Sequence, residues 1–283
     1  MRRKPELDSP LQSKVVALPE SRQLDILAGL FERRRARVVR IPLVIIQDAP
    51  DQKLVNSWVK DFIANPPDYF IILTGEGLRR LIGAAGRIGL ESEFVGAMAQ
   101  VKTVCRGPKP VQSLRKVKLN AWLRAGEPTT AGVIQSLRGI NLRNSRVSVQ
   151  LYGEDPNNQL MGYLKGCQVD ACCSVSPYVY LPASNNEEVK DFIRELESGF
   201  IDLIVFTSKP QVHRLFEVAE LSNLMDQLIC GLSKTHIAAV GPLVRSVLEQ
   251  RGCNVKIMPT SAYFMKPLLR AAEAYFCLKP DEG

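Results

Sequence analysis

One chemical text is written twice in this chain, and that constrains its fold more than any single motif. The pentapeptide VKDFI stands at Val59 to Ile63 and returns at Val189 to Ile193, an offset of 130. DYFIILTGEGLRRL, centred on Thr74, answers IDLIVFTSKPQVHRL, centred on Thr207, at an offset of 133. KTVCRGPKPVQSL, with Gly107, answers HIAAVGPLVRSVL, with Gly241, at 134, and KVVALPES (Val15) answers RVSVQLYGE (Val147) at 132. Repeats at one nearly constant spacing across a 283-residue chain imply tandem copies of one supersecondary unit.

Each copy alternates short apolar runs with amphipathic segments. VVAL, RVVRIPLVII, YFIIL and VKTVC are the strands expected of the first copy, and VSVQLY, CCSVSPYVYL, LIVFT and HIAAV those of the second. Runs with so little polar alternation suit parallel strands covered on both faces. QLDILAGLFERR, VNSWVKDFIA, EEVKDFIRELESG and PLVRSVLEQRG place apolar residues three and four apart, as core-facing helices do, and Gly252 is a fitting helix stop. The fold class is therefore α/β, with parallel sheets flanked by helices. IPLVIIQDAPD (41–51) and SVSPYVYLPAS (174–184) are β-rich but contain prolines. They read as linker strands that pair into a two-stranded tie. The cationic run RRRAR (Arg33, Arg34, Arg35, Arg37) falls at the end of the first helix and complements its dipole. The outer segments 1–13 and 277–283 read as mobile polar tails.

Charge points to the kind of partner. Lys and Arg number 37 against 29 Asp and Glu, a formal net charge of +8, which favours anions such as a polycarboxylate or a nucleic acid. Seven scattered cysteines without a C-x-x-C pair suggest neither a disulfide framework nor a zinc site, and His213 and His236 lack companions at ligand spacing. No metal is expected, and a reducing cytoplasm fits best. No apolar run approaches a membrane span, and no apolar core follows the basic start. TGEGLRR lacks the G-K-[ST] of a phosphate loop, no G-x-G-x-x-G opens a first helix, and no Ser/His/Asp or Cys/His set assembles.

In parallel sheets, ligands meet the carboxyl ends of the strands, where turns feed helix N-termini with free N–H groups. Those turns hold Pro19, Glu20, Ser21 and Arg22; Thr74, Gly75 and Gly77; Arg106, Gly107, Pro108 and Lys109; Tyr152, Gly153 and Glu154; Thr207 and Ser208; and Gly241 and Pro242. Hydroxyls and glycines there also serve as ordinary helix caps and turns. If the two sheets turn these edges toward one another, a cleft rich in backbone donors results. Tyr178 and Tyr180 alternate along the second linker strand and share a face.

The duplicated pattern, LTGEGLRRL and FTSKPQV after equivalent strands, AAVGPLVRSVLEQRG near the end, and the linker ending YVYLP resemble the uroporphyrinogen-III synthase family over residues 14–276. The resemblance implies two Rossmann-like parallel-sheet domains, formed by 1–46 with 178–283 and by 47–177, joined by a two-stranded β-ladder. It implies a cofactor-free cyclising hydro-lyase of tetrapyrrole (heme) biosynthesis. Hydroxymethylbilane would lose its terminal hydroxyl and close to uroporphyrinogen III with ring D inverted. The partner implied is that small molecule, with no nucleic acid and no membrane, for a cytoplasmic monomer. Tyr178, four residues before Pro182, matches the family's candidate catalytic tyrosine. The substrate-binding turns that the resemblance implies fall at Pro19, Glu20, Ser21, Thr74, Gly75, Gly107, Thr207, Ser208, Gly241 and Pro242, with Arg22 a displaced substitute for the arginine of the first turn and Arg106 and Lys109 compensating by charge. The chain departs from the family at Leu18, where Arg precedes Pro, at Gly75, where Thr-Ser is usual, and at Pro110 and Val244, where hydroxyls are common. These departures keep open a regulatory relative that binds a tetrapyrrole or another polyanion without closing it.

Overall fold

A computed structural model describes residues 9–153 and 155–278. The chain begins β1 (Val15–Leu18), α1 (Leu24–Glu32), β2 (Arg37–Arg40), β3 (Val44–Asp48), α2 (Gln52–Ala64), β4 (Tyr69–Ile72). It continues α3 (Gly75–Arg87), α4 (Glu91–Ala99), β5 (Lys102–Cys105), α5 (Pro108–Lys116), β6 (Leu123–Arg124), α6 (Thr130–Leu137). The second copy opens β7 (Arg146–Gln150), α7 (Asn158–Gly166), β8 (Ala171–Val175), β9 (Tyr178–Pro182), α8 (Asn186–Glu197), β10 (Leu203–Phe206). It ends α9 (Lys209–Leu221), α10 (Met225–Lys234), β11 (His236–Ala239), α11 (Pro242–Gln250), β12 (Val255–Ile257), α12 (Met265–Leu278).

Two parallel sheets result, ordered β12-β11-β10-β1-β2 and β6-β5-β4-β7-β8. Adding six to β6-β5-β4 gives β12-β11-β10, and subtracting six from β7-β8 gives β1-β2. The copies therefore repeat the same order but do not each own a sheet, since every sheet takes strands from both copies. The chain divides accordingly. Unit one comprises residues up to Ile45 and from Leu181 on, and unit two comprises Ile46–Tyr180.

The apolar runs behave as expected of covered strands: β1, β4 and β10 are buried along their whole lengths. The pentapeptide that revealed the repeat does the same work twice, with Val59 and Phe62 of α2, and Val189, Phe192 and Ile193 of α8, buried in their respective cores.

Two long runs expected as single strands are broken by proline. RVVRIPLVII yields β2 and β3 around Pro42, and CCSVSPYVYL yields β8 and β9 around Pro177, because proline offers the ladder no N–H. The pieces β3 and β9 form the two-stranded antiparallel tie. The Ala49 N–H donates to the Pro177 carbonyl (3.1 Å), and that of Ala183 to Leu43 (3.1 Å).

The arginine run lies beyond α1 rather than in its last turn: Arg33 is the C-cap, and Arg34 pairs with Glu273 of α12 at 2.9 Å. Of the proposed tails, residues 1–8 and 279–283 lie outside the described residues. Leu11, however, is fully buried in the core of unit one, and Cys277 belongs to α12. Among the described residues, no helix is long and apolar enough to cross a membrane, and no three His, Cys, Asp or Glu side chains gather to hold a metal.

Candidate functional site

In unit two the strand ends converge on Thr74. Its hydroxyl caps α3 by accepting from the Gly77 N–H (2.9 Å), and its own N–H donates to Gln150 Oε1 (2.9 Å). The Tyr178 hydroxyl donates to Thr74 Oγ1 (3.3 Å) and lies 3.4 Å from the Tyr180 hydroxyl, with the two rings edge to face. Tyr178 is 1% exposed, whereas Tyr180 is partly exposed. Burial pushes the Tyr178 phenol well above its usual range and Tyr180 adds to this, while the bond to Thr74 and the charge of Arg106 oppose it. The phenol therefore stays protonated at neutral pH and can donate.

Charge surrounds this pair. The Arg80 guanidinium lies 5.9 Å from the Tyr178 ring centroid and is itself held by Glu76 (2.7 Å), the Ile46 carbonyl (2.9 Å) and Asp48. Arg106 stacks at 4.9 Å over Tyr152. Gly153, at φ +59°, takes a left-handed turn and passes beneath Tyr180, where a Cβ would stand 2.8 Å from the ring. Glu154 lies outside the described residues.

Gly75, a departure from the family pattern, has a steric cause. A Cβ there would meet the Lys109 carbonyl oxygen at 2.6 Å and Ser113 Oγ at 2.8 Å, because α5 crosses α3 closely and Ser113 Oγ donates to the Gly75 carbonyl (3.1 Å). Restoring the family serine, Gly75→Ser, should cost about 1–3 kcal/mol by overpacking, read as a lowered urea midpoint. An unchanged midpoint would refute the clash. The other departures, Leu18, Pro110 and Val244, are buried and present no group to a ligand. Gly107 and Gly241 both cap helices whose first residue is proline. They have extended backbones, and each lies under a neighbouring side chain, Pro128 in one case and Tyr263 in the other.

Unit one repeats the arrangement with other chemistry. Ser208 caps α9 in a capping box with Gln211, whose Oε1 also accepts from the Thr207 N–H (2.8 Å). Glu20 is 7% exposed. Its Oε1 accepts from the N–H groups of Ser21 and Arg22 (both 3.1 Å), and its Oε2 accepts from the Thr207 hydroxyl. Pro19 is buried and Arg22 exposed.

Thr74, Gly75, Arg106, Gly107, Lys109 and Tyr178 thus all lie in unit two, and Pro19, Glu20, Ser21, Arg22, Thr207, Ser208, Gly241 and Pro242 in unit one. In each unit the turns sit at the carboxyl ends of the strands. Sequence reasoning missed Gln150 and Gln211. Ser208-x-x-Gln211 is a readable capping box, whereas nothing in β7, RVSVQ, sets Gln150 apart from Arg146 and Ser148.

These features define a class, a tandemly duplicated α/β protein with two parallel sheets whose strand ends carry hydroxyl caps and backbone donors. The family model for uroporphyrinogen-III synthase HemD matches residues 25–270. The chain belongs to the uroporphyrinogen-III synthase family. An uncharacterized protein of Bacillus subtilis (strain 168), YjjA, is 31% identical over 255 residues, covering 88% of this chain and 91% of that protein. A mutant uroporphyrinogen III synthase from Thermus thermophilus is similar in structure, with a TM-score of 0.74, 22% identity, and coverage of 94% of this chain and 100% of that one. The wild-type enzyme from the same organism gives a TM-score of 0.60, also at 22% identity, over 94% of this chain and 99% of that one.

Proposed function

We propose that this chain converts hydroxymethylbilane to uroporphyrinogen III, inverting ring D with loss of water. The family match over residues 25–270 carries the reading. Three local features support it: the basic balance, the strand-end donors and the protonated Tyr178 phenol. The bilane closes unaided without inversion, so the protein's task is to hold it in the conformation that leads to the inverted product. Turn N–H groups and the cations Arg106 and Lys109 receive acetate and propionate carboxylates. Tyr178 assists departure of the terminal hydroxyl as water by donating a proton, and the adjacent Tyr180 hydroxyl links it toward solvent. The chemistry proposed needs no cofactor and no metal, and the working form proposed is a cytoplasmic monomer.

A second reading is a non-catalytic relative that binds a tetrapyrrole or another polyanion. Two observations favour it: the Tyr178 hydroxyl is committed to internal partners, and a carboxylate fills the donors after β1. Mixing the protein with enzymatically generated hydroxymethylbilane and separating the uroporphyrin isomers decides between the two. Protein-dependent type III isomer is expected, and type I alone would leave only the second reading.

A further inference from the structure

The turns after β1 and β10 already hold a carboxylate. Glu20 receives the Ser21 and Arg22 N–H groups on one oxygen and the Thr207 hydroxyl on the other, with Gln211 Nε2 3.5 Å away. Gln211 Nε2 also donates to Thr207 Oγ1 at 2.9 Å, which locks the hydroxyl in place. Donors from the turn after β1, the turn after β10 and helix α9 therefore close around one buried anion.

The duplication supplies an internal comparison. The registers set Val16 beside Leu203 and Val147 beside the equivalent Tyr69, so the counterpart of Glu20 is the buried Leu151, next to Tyr152, over which Arg106 stacks at 4.9 Å. At the offset of 134 that relates Gly107 to Gly241, the counterparts of Arg106 and Lys109 are Val240 and Leu243. Unit two thus carries two cations where unit one carries aliphatic side chains, and a leucine where unit one carries a carboxylate. An incoming carboxylate would meet repulsion at Glu20, and displacing Glu20 would strip a buried charge of its donors, which is costly.

We infer that Glu20 is a specificity-determining residue: it occupies the donors of unit one that a ligand carboxylate would otherwise use. The carboxylates of an acidic ligand are received at the turns of unit two, and the donors after β1 receive none. The identity of the ligand rests on the proposed synthase reading; the occupancy of the donors does not.

The test is citrate binding followed through assigned backbone amides of the full chain, as wild type, Glu20→Ala and Glu20→Gln. In the wild type, citrate should shift amides around Thr74 to Gly77 and Arg106 to Lys109 and leave those of Ser21 and Arg22 in place. Glu20→Ala should add shifts at Ser21 and Arg22, with at least about tenfold tighter binding there, the size expected from vacating charge-assisted hydrogen bonds. Glu20→Gln keeps an acceptor on the cap while removing the charge, so it should give a smaller gain in the same direction. It also decides the matter if the alanine variant does not fold. Equal shifts at Ser21 and Arg22 in wild type and variants, or none in any of them, would overturn the inference. The isomer assay run on the same samples separates the two ideas. Type I product alongside the expected citrate pattern defeats the synthase reading and leaves the Glu20 assignment standing. Type III product without a variant-dependent gain does the reverse.

Discussion

Tyr178→Phe is expected to slow protein-dependent formation of the type III isomer by about 100-fold, the lower end of what a positioned proton donor contributes. The ring would keep its edge-to-face packing on Tyr180 and its place near Arg80, so the change removes one hydroxyl and little else. The lost bond to Thr74 should cost only about 1 kcal/mol of stability, which a urea titration would register as a small shift. KM should change less than kcat, because the loss falls on a transition-state interaction rather than on the turns that hold carboxylates. The sign of the pKa shift adds a second readout. Because the folded phenol titrates above its usual value near 10, it remains protonated from roughly pH 6 to 9, and the wild-type rate should show no ionisation from it there. Thr74→Val, which removes the acceptor while keeping the phenol, should lower the rate less than Tyr178→Phe. Equal turnover by wild type and Tyr178→Phe would remove this tyrosine from the proposed chemistry.

What could be read in advance and what could not divide along a physical line. Burial on both faces of a parallel sheet leaves a continuous apolar run in the sequence, so β1, β4 and β10 were visible. The tie was visible too, because proline confines its strands to an edge. The boundaries inside RVVRIPLVII and CCSVSPYVYL were not visible, since composition is β-favouring on both sides of each proline and only the missing N–H separates the pieces. Which strands share a sheet was also hidden from periodicity. Local pattern is identical in the two copies, and the exchange of halves is a matter of long-range pairing, β1 with β10 and β4 with β7.

The site shows the same limit more sharply. Thr74 and Thr207 answer one another in sequence, and each backbone N–H is covered by a glutamine carbonyl, at 2.9 Å and 2.8 Å. The two glutamines, however, do not correspond. Gln150 comes from the end of β7, and the registers put Pro19, whose side chain has no donor or acceptor, at its place in unit one. Gln211 comes from α9, third after the cap Ser208, and the residue third after the cap Thr74 in unit two is Gly77. Gly77 has no side chain because Gln150 fills that space: a Cβ would lie 1.9 Å from Gln150 Nε2. One requirement, an acceptor for a buried N–H, is met from a strand in one unit and from a helix in the other. No comparison of aligned positions finds it.

Gly231→Val should be the most damaging single substitution outside the site, destabilising unit one by at least about 3 kcal/mol, beyond ordinary overpacking because the obstacle is backbone. Helix α10 crosses α8 so closely that a Cβ on Gly231 would meet the Leu196 carbonyl carbon at 2.6 Å and the Glu197 nitrogen at 2.7 Å. Neither atom can swing aside as a side-chain tip would. The crossing is further fixed by Lys234 Nζ donating to the Glu197 carbonyl at 2.6 Å. In unit two the corresponding residue is Ala97 of α4, packed in the same core as α2, so that copy leaves room for one methyl where unit one leaves none. Against a domain stability of about 5–15 kcal/mol, the loss is large enough to split a cooperative urea transition, with unit one unfolding first. Gly162, exposed in α7 with nothing within 4 Å of its added Cβ, is the matched control. Gly162→Ala should stabilise by about 0.5–1 kcal/mol through helix propensity alone. If both substitutions move the midpoint in the same direction, the contact at α8 does not limit packing, and the glycine at 231 owes its presence to something other than the helix crossing.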